Sequence, residues 1–265
     1  MEWLIRAQGG KPFIAPSMRE IPLEDNTEAL AFAERLFRGD FNMMIFLTGV
    51  GARLLNQVIE ARFGPGTFLE ALRKLTVVAR GSKPIAALQE WKVPVTVAVP
   101  EPNTWREVLE SLKRRREKRI AVQEFGRPST ELIEGLRQRG AEVTPVSVYQ
   151  WALPEDLAPL HEAVRRLAMS EVDVVLFATS MQAVHLMQIA AQEGAQDAVR
   201  EGLARAVVAS VGPTTSGTLA DYSIRVDLEP SHPKMGFLIN ETAAKAAQIL
   251  AARSALSRSG SPEAP

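Results

Sequence analysis

The sequence predicts an α/β fold: two similar parallel-sheet α/β domains of flavodoxin-like topology, joined by two extended crossover segments, one domain inserted in the other. Three observations predict it. Short apolar runs alternate with amphipathic stretches along the chain, the pattern of parallel strands covered by helices. Runs such as "DVVLFA" are apolar without alternation, as strands buried on both faces are. The chain also repeats itself. Thr48 and Thr179, Gly81 and Gly212, and Pro102 and Pro233 match at one offset of 131 residues, each pair in a similar strand-to-helix setting.

In chain order, apolar runs place strands at Lys11–Ile21, Met43–Thr48, Leu75–Arg80, Val95–Val99, Arg119–Gln123, Glu142–Tyr149, Val172–Ala178, Ala206–Val211 and Ile224–Asp227. Helical spacing places helices at Glu28–Arg38, Gly51–Arg62, Ser82–Trp91, Thr104–Arg116, Ser129–Arg139, Asp156–Met169, Met181–Glu193, Asp197–Ala204, Thr214–Ala220 and Pro233–Ala252. Two extended segments, Ala15–Asp25 and Val146–Asp156, both end in Leu/Pro plus Glu-Asp and read as crossings between domains. Two crossings mean insertion. Residues 1–19 plus 150–254 form a discontinuous domain, residues 20–149 the inserted one, and residues 255–265 a small, polar, disordered tail. The stretch before Tyr149 resembles the start of the chain, with Gly10 matching Gly140. On that match the first domain lacks its N-terminal strand.

Composition narrows the function. The chain has 265 residues, 46% hydrophobic, with formal net charge +0. Balanced charge argues against a wholly basic nucleic-acid surface. There are no cysteines, hence no disulfide framework, zinc-thiolate site or cysteine nucleophile. No apolar run reaches the roughly 20 residues that span a bilayer, and the start has no signal-peptide layout. A cytoplasmic protein that acts on neither membrane nor nucleic acid is expected. "KRRREKR" (Lys113–Arg119) is read as positive charge at a helix C-terminus.

Open α/β sheets bind ligands beyond the carboxyl ends of their strands, and two such edges facing across two linkers make a cleft. The turns there are Thr48-Gly49, Arg80-Gly81-Ser82-Lys83, Gln123 to Ser129, Thr179-Ser180 and Gly212-Pro213-Thr214-Thr215. Ser and Thr are ordinary caps and Gly an ordinary turn residue. Together these turns suit a polyanion, since helix N-termini offer free N–H groups and a positive dipole end. Gly49 and Gly51 would let backbone N–H groups approach it, and Arg80 and Lys83 would attract carboxylates. No GxGxxG follows a strand, no Walker sequence or Gly-x-Ser-x-Gly elbow occurs, and the three histidines have no metal spacing. His185 is read as structural. Tyr149 and Trp151 lie in the second crossing. The phenol is either a proton donor to a leaving group or a linker aromatic packed on a strand.

"KPFIAPSMREIPLED", "IFLTGVGARLL", "VVARGSKPIAAL", "RGAEVTPVSVYQW", "VDVVLFATSMQAV" and "VVASVGPTTSGTL", in this order and spacing, resemble the uroporphyrinogen-III synthase family from about Leu4 to Ala252. The resemblance implies a cofactor-free enzyme of tetrapyrrole biosynthesis; a monomer without a metal site is expected. Its substrate is hydroxymethylbilane, a linear tetrapyrrole with eight carboxylates. The reaction loses the terminal hydroxyl as water, inverts the last ring and closes the macrocycle. The resemblance makes Tyr149 the residue that assists loss of the hydroxyl. It matches Thr48, Thr179, Ser180, Thr214 and Thr215 to the family's Ser/Thr at the strand ends; with Gly49, Gly51, Arg80, Gly81, Ser82, Lys83 and Gly212 from the turns read above, they are the expected substrate-binding set. Three departures stand out: no initial strand ending in a Thr-Arg-Pro-like turn, Gly-Val-Gly after Thr48 where Ser-Ala-Asn is commoner, and Met181 where many members have proline. Two alternatives stay open, a non-catalytic regulatory domain of the same family and a two-domain small-molecule binding protein.

Overall fold

The computed structural model describes residues 1–126 and 128–259. The chain divides into two compact units: Glu20–Ala152, and Met1–Arg19 together with the chain from Leu153 onward. In order, the elements are α1 (Glu2–Ala7), β1 (Arg19–Pro22), α2 (Thr27–Phe37), β2 (Met43–Phe46), α3 (Gly49–Phe63), α4 (Thr67–Leu72), β3 (Thr76–Arg80), α5 (Ser82–Glu90), β4 (Val97–Val99), α6 (Trp105–Ser111), β5 (Arg119–Gln123), α7 (Thr130–Gln138), β6 (Glu142–Val146), β7 (Tyr149–Ala152), α8 (Ala158–Ala168), β8 (Val174–Phe177), α9 (Ser180–Gln192), α10 (Gln196–Arg205), β9 (Val207–Ser210), α11 (Pro213–Asp221) and α12 (Met235–Ser259).

The unit Glu20–Ala152 is a five-stranded sheet, β4-β3-β2-β5-β6, parallel throughout. Successive side chains of a strand point to opposite faces, and β2 shows it. Met44 and Phe46 join a core with α2, α3, α4 and α5; Met43, Ile45 and Leu47 join one with α6 and α7. Counted within the unit, the order is 3-2-1-4-5, whereas the flavodoxin order is 2-1-3-4-5. The winding reverses between β2 and β5, where a doubly wound sheet leaves its crevice. β1 and β7, the segments that lead between the units, pair as a separate two-stranded sheet.

In the other unit β8 and β9 pair in parallel, packed by α8, α9 and α10 and, on β9, by α12. The strand expected at Ile224–Asp227 is not formed. A single bridge joins Ala209 to Leu228, and the Asp227 carboxylate itself accepts the Val208 N–H at 2.8 Å. A side chain has taken a ladder bond, and Arg253 and Arg225 pair with the same carboxylate.

Other boundaries moved for identifiable reasons. The strand expected from Lys11 begins only at Arg19, because Pro12 and Pro16 supply no ladder donors. That segment is instead held to α9. The buried His185 places Nδ1 at 2.6 Å from the Ser17 carbonyl; a carbonyl only accepts, so this nitrogen carries the proton. α6 stops at Ser111, so of the basic run only Lys113 lies at its end, its N–H donating to the Glu110 carbonyl at 3.2 Å. Arg115 pairs with Glu117, which also accepts from Thr76 Oγ1 at 2.5 Å. Burial alone would raise the Glu117 carboxyl; the Arg115 and Thr76 bonds outweigh it and hold it down at about 2. α12 runs to Ser259, five residues into the segment expected as a tail. Residues 260–265 lie outside the described residues.

The repeat is visible in backbone geometry. Thr48 and Thr179 are the N-caps of α3 and α9, and Gly81 and Gly212 those of α5 and α11. The counterpart of Gly140 (φ 77°) is Gly9 (φ 79°) rather than Gly10. Each ends a helix in the left-handed conformation glycine tolerates, and the pair restores the offset of 131.

Candidate functional site

The carboxyl ends of β2 and β5 lie side by side, Phe46 opposite Gln123. Thr48, just beyond β2, has extended backbone and caps α3: its Oγ1 accepts the Gly51 N–H at 3.0 Å. Its own N–H donates to Gln123 Oε1 at 3.2 Å. The Gln123 amide is fully buried, and its Nε2 donates to the Glu124 carbonyl. Gln123 therefore fills the crevice where the sheet winding reverses.

That explains the glycines. A Cβ on Gly51 would lie 1.9 Å from Gln123 Nε2, and one on Gly49 would lie 2.8 Å from the Lys83 carbonyl oxygen. Both glycines are needed for close approach. Of the amides in this turn, the Gly51 N–H is taken by Thr48, while those of Gly49 and Val50 have no partner among the described residues.

Tyr149, on β7, is 2% exposed and belongs to the main core of its unit. Its hydroxyl lies 3.1 Å from Thr48 Oγ1. Burial raises its pKa to about 12, with Glu20 adding to the rise and the Thr48 bond and Arg80 opposing it. It is a phenol, not a phenolate, across the neutral range. Trp151 stacks edge-on against Tyr149 at 5.4 Å, and its indole N–H donates to the Phe125 carbonyl at 2.6 Å. Gly126 has φ 78°, and a Cβ there would meet Trp151 at 2.7 Å and Tyr149 at 2.9 Å. Glu124, also buried, accepts the Ser129 N–H at 2.7 Å and the Ser147 hydroxyl at 2.9 Å. The turn after β5 is thus fastened to the chain around β7 at several points. Arg80, at the end of β3, lies over the Phe125 ring at 4.9 Å. Gly81 follows with φ 89°, beside Asn103. Ser82 and Lys83 are exposed on the first turn of α5. Thr48, Arg80 and Tyr149 are brought together here; Gln123, Glu124 and Trp151 complete the set. A Gln-Glu pair closing the apolar run "RIAVQEF" was the signal available for the first two.

In the other unit, Thr179 is half-buried and Ser180 buried. Gln182 Oε1 accepts the N–H groups of Ala178 at 2.7 Å and Thr179 at 3.2 Å, so a side chain already occupies that turn. Gly212 donates to Ser210 Oγ at 3.2 Å. Thr214 is exposed. Thr215 is buried as a residue. Among the described residues, no helix is long and apolar enough to cross a membrane.

Fold and site define a class: a protein of two α/β units whose parallel strands end in small, hydroxyl-bearing turns. The model of the family described as uroporphyrinogen-III synthase HemD matches residues 1–240. The chain belongs to the uroporphyrinogen-III synthase family. A Bacillus subtilis (strain 168) protein named "Uncharacterized protein YjjA" is 32% identical over 246 residues, 91% of this chain and 89% of that protein. Among solved structures, a mutant uroporphyrinogen III synthase from the extremely thermophilic bacterium Thermus thermophilus is 24% identical with TM-score 0.67, covering 94% of each chain. The wild-type enzyme in another crystal form is 23% identical with TM-score 0.53, covering 94% of this chain and 93% of that one. These structures share the fold.

Proposed function

We propose that the protein is a uroporphyrinogen-III synthase, a cyclising hydro-lyase of porphyrin and heme biosynthesis acting as a cytoplasmic monomer. It takes hydroxymethylbilane, expels the terminal hydroxyl as water, inverts ring D and closes the macrocycle. The observation that carries the proposal is the hydroxyl pair Tyr149–Thr48 at the carboxyl edge of the sheet, in a chain of this family. An alcohol leaves as water only when a proton reaches its oxygen, and the pair supplies one. Amides of Gly49 and Val50, the exposed Ser82, Lys83 and Thr214, and the half-buried Arg80 and Thr179 are the groups we assign to the substrate's carboxylates. Gly81 and Gly212 shape the helix starts that carry them, and Ser180 opens α9 beside Thr179. Positioning of the flexible chain then supplies most of the acceleration.

The test is product identity. Hydroxymethylbilane closes without inversion to the type I isomer, so the purified protein is expected to divert it to the type III isomer. Type I product alone, from folded protein, would refute the proposal.

A further inference from the structure

We propose that Thr48 delivers the proton to the departing hydroxyl, with Tyr149 standing behind it as the proton's source; this rests on the function proposed above. The argument is one of donor and acceptor capacity. A threonine hydroxyl has one proton and two lone pairs. One lone pair of Thr48 accepts the Gly51 N–H at 3.0 Å. Tyr149 is in the core, and among the described residues the partner of its hydroxyl is Thr48 Oγ1, at 3.1 Å. Were Thr48 the donor, the phenol proton would be buried with no acceptor, an expensive arrangement. Tyr149 therefore donates. Both lone pairs of Thr48 are then occupied, and its own proton points to whatever lies beyond the strand end.

Exposure agrees with this order. Thr48 is half-buried and Tyr149 is 2% exposed, so the threonine is the one that can touch a ligand. Its backbone is held by Gln123 through the Thr48 N–H. The phenol is held by the core and by Trp151.

The step balances. The C–O bond of the hydroxymethyl group breaks and its electron pair leaves with oxygen. The Thr48 proton joins that oxygen, giving water. The Tyr149 proton moves onto Thr48 Oγ1, leaving a phenolate. The carbon becomes an azafulvenium cation, stabilised by its pyrrole nitrogen. When the macrocycle closes and the last ring regains aromaticity, the carbon-bound proton it sheds returns through Thr48 to the phenolate. One water is formed and no net proton is consumed.

The test uses the full chain with hydroxymethylbilane and four variants: Thr48→Val, which keeps the shape and removes the hydroxyl, Thr48→Ser, Tyr149→Phe, and the Thr48→Val/Tyr149→Phe double. Wild type must first yield the type III isomer; if it yields type I alone, the proposed function fails. Given type III product, T48V and Y149F are each expected to lower kcat by roughly a hundredfold or more, with KM within about twofold. The double variant should be no worse than either single, as for residues acting as a unit, and T48S should recover most of the rate. A T48V that raises KM and keeps kcat makes Thr48 a carboxylate contact and overturns the relay. So does a T48V that keeps kcat while Y149F loses it. A second measurement is independent of variant folding. In mixed light and heavy water the wild-type rate should curve with deuterium fraction, because two protons move together; a straight line overturns the proposal.

Discussion

Gly51→Ala is the most informative single methyl group that can be added to this protein. Alanine is the better helix former by about 1 kcal/mol, and Gly51 lies in the first turn of α3, so propensity alone predicts stabilisation. Packing predicts the reverse. The new Cβ would lie 1.9 Å from Gln123 Nε2, 2.3 Å from Cδ and 2.8 Å from Oε1. The amide must move, and it is fully buried. Moving it removes the partner of the Thr48 N–H and of the Glu124 carbonyl. Each loss costs about 1–3 kcal/mol, so the net destabilisation is about 1–5 kcal/mol after the propensity gain. Urea denaturation measures it. Three of the four tryptophans, Trp91, Trp105 and Trp151, lie in this unit, so their fluorescence reports on its unfolding. Gly217→Ala is the matched control: in α11, with nothing within 4 Å of its added Cβ, it should stabilise by up to about 1 kcal/mol, read by circular dichroism. A G51A protein as stable as wild type would show that Gln123 is not the fixed wedge described above.

Two further predictions follow from packing and burial. Gly202→Ala should be among the most damaging substitutions, about 3 kcal/mol or more, because its Cβ would lie 1.8 Å from the Leu167 carbonyl oxygen and only separation of α8 from α10 relieves a backbone clash; an unshifted melting temperature would contradict this. Tyr149 should make stability fall between pH 10 and about 12. Below 10 the phenol is protonated folded or unfolded; above it the unfolded chain ionises first, while burial holds the folded phenol neutral to about 12. The loss amounts to about 2–3 kcal/mol, and Tyr149→Phe should lack it, so wild-type and Y149F stability profiles that run parallel over this range would exclude the assignment.

The sequence announced the elements whose physics is local. Arg119–Gln123 is a strand with the expected bounds, because an apolar run with both faces covered has little other use. The repeat was readable because caps recur where helices must start. What escaped notice depends on neighbours. α4 is six residues behind Gly64-Pro65-Gly66, too short to show a period. The Asp227 carboxylate replacing a ladder bond could not be inferred from "IRVD". At the site, Thr48 and Tyr149 were identified one by one. Their pairing was hidden, because it joins residues 101 apart in sequence through a core that only folding assembles. Thr215 shows the converse: a residue in a helix's first turn is exposed or buried according to helix rotation, and here Thr214 is exposed while Thr215 is buried.

Tyr149 belongs to the same apolar core as Phe46, Leu55, Val146 and Val148, so the donor's position depends on hydrophobic packing as well as on the polar bonds around it. Damage to those neighbours, far from any ligand, will then register as lost turnover in protein that is still folded. Warming should do the same: activity will decline as the core loosens, some degrees before the chain unfolds.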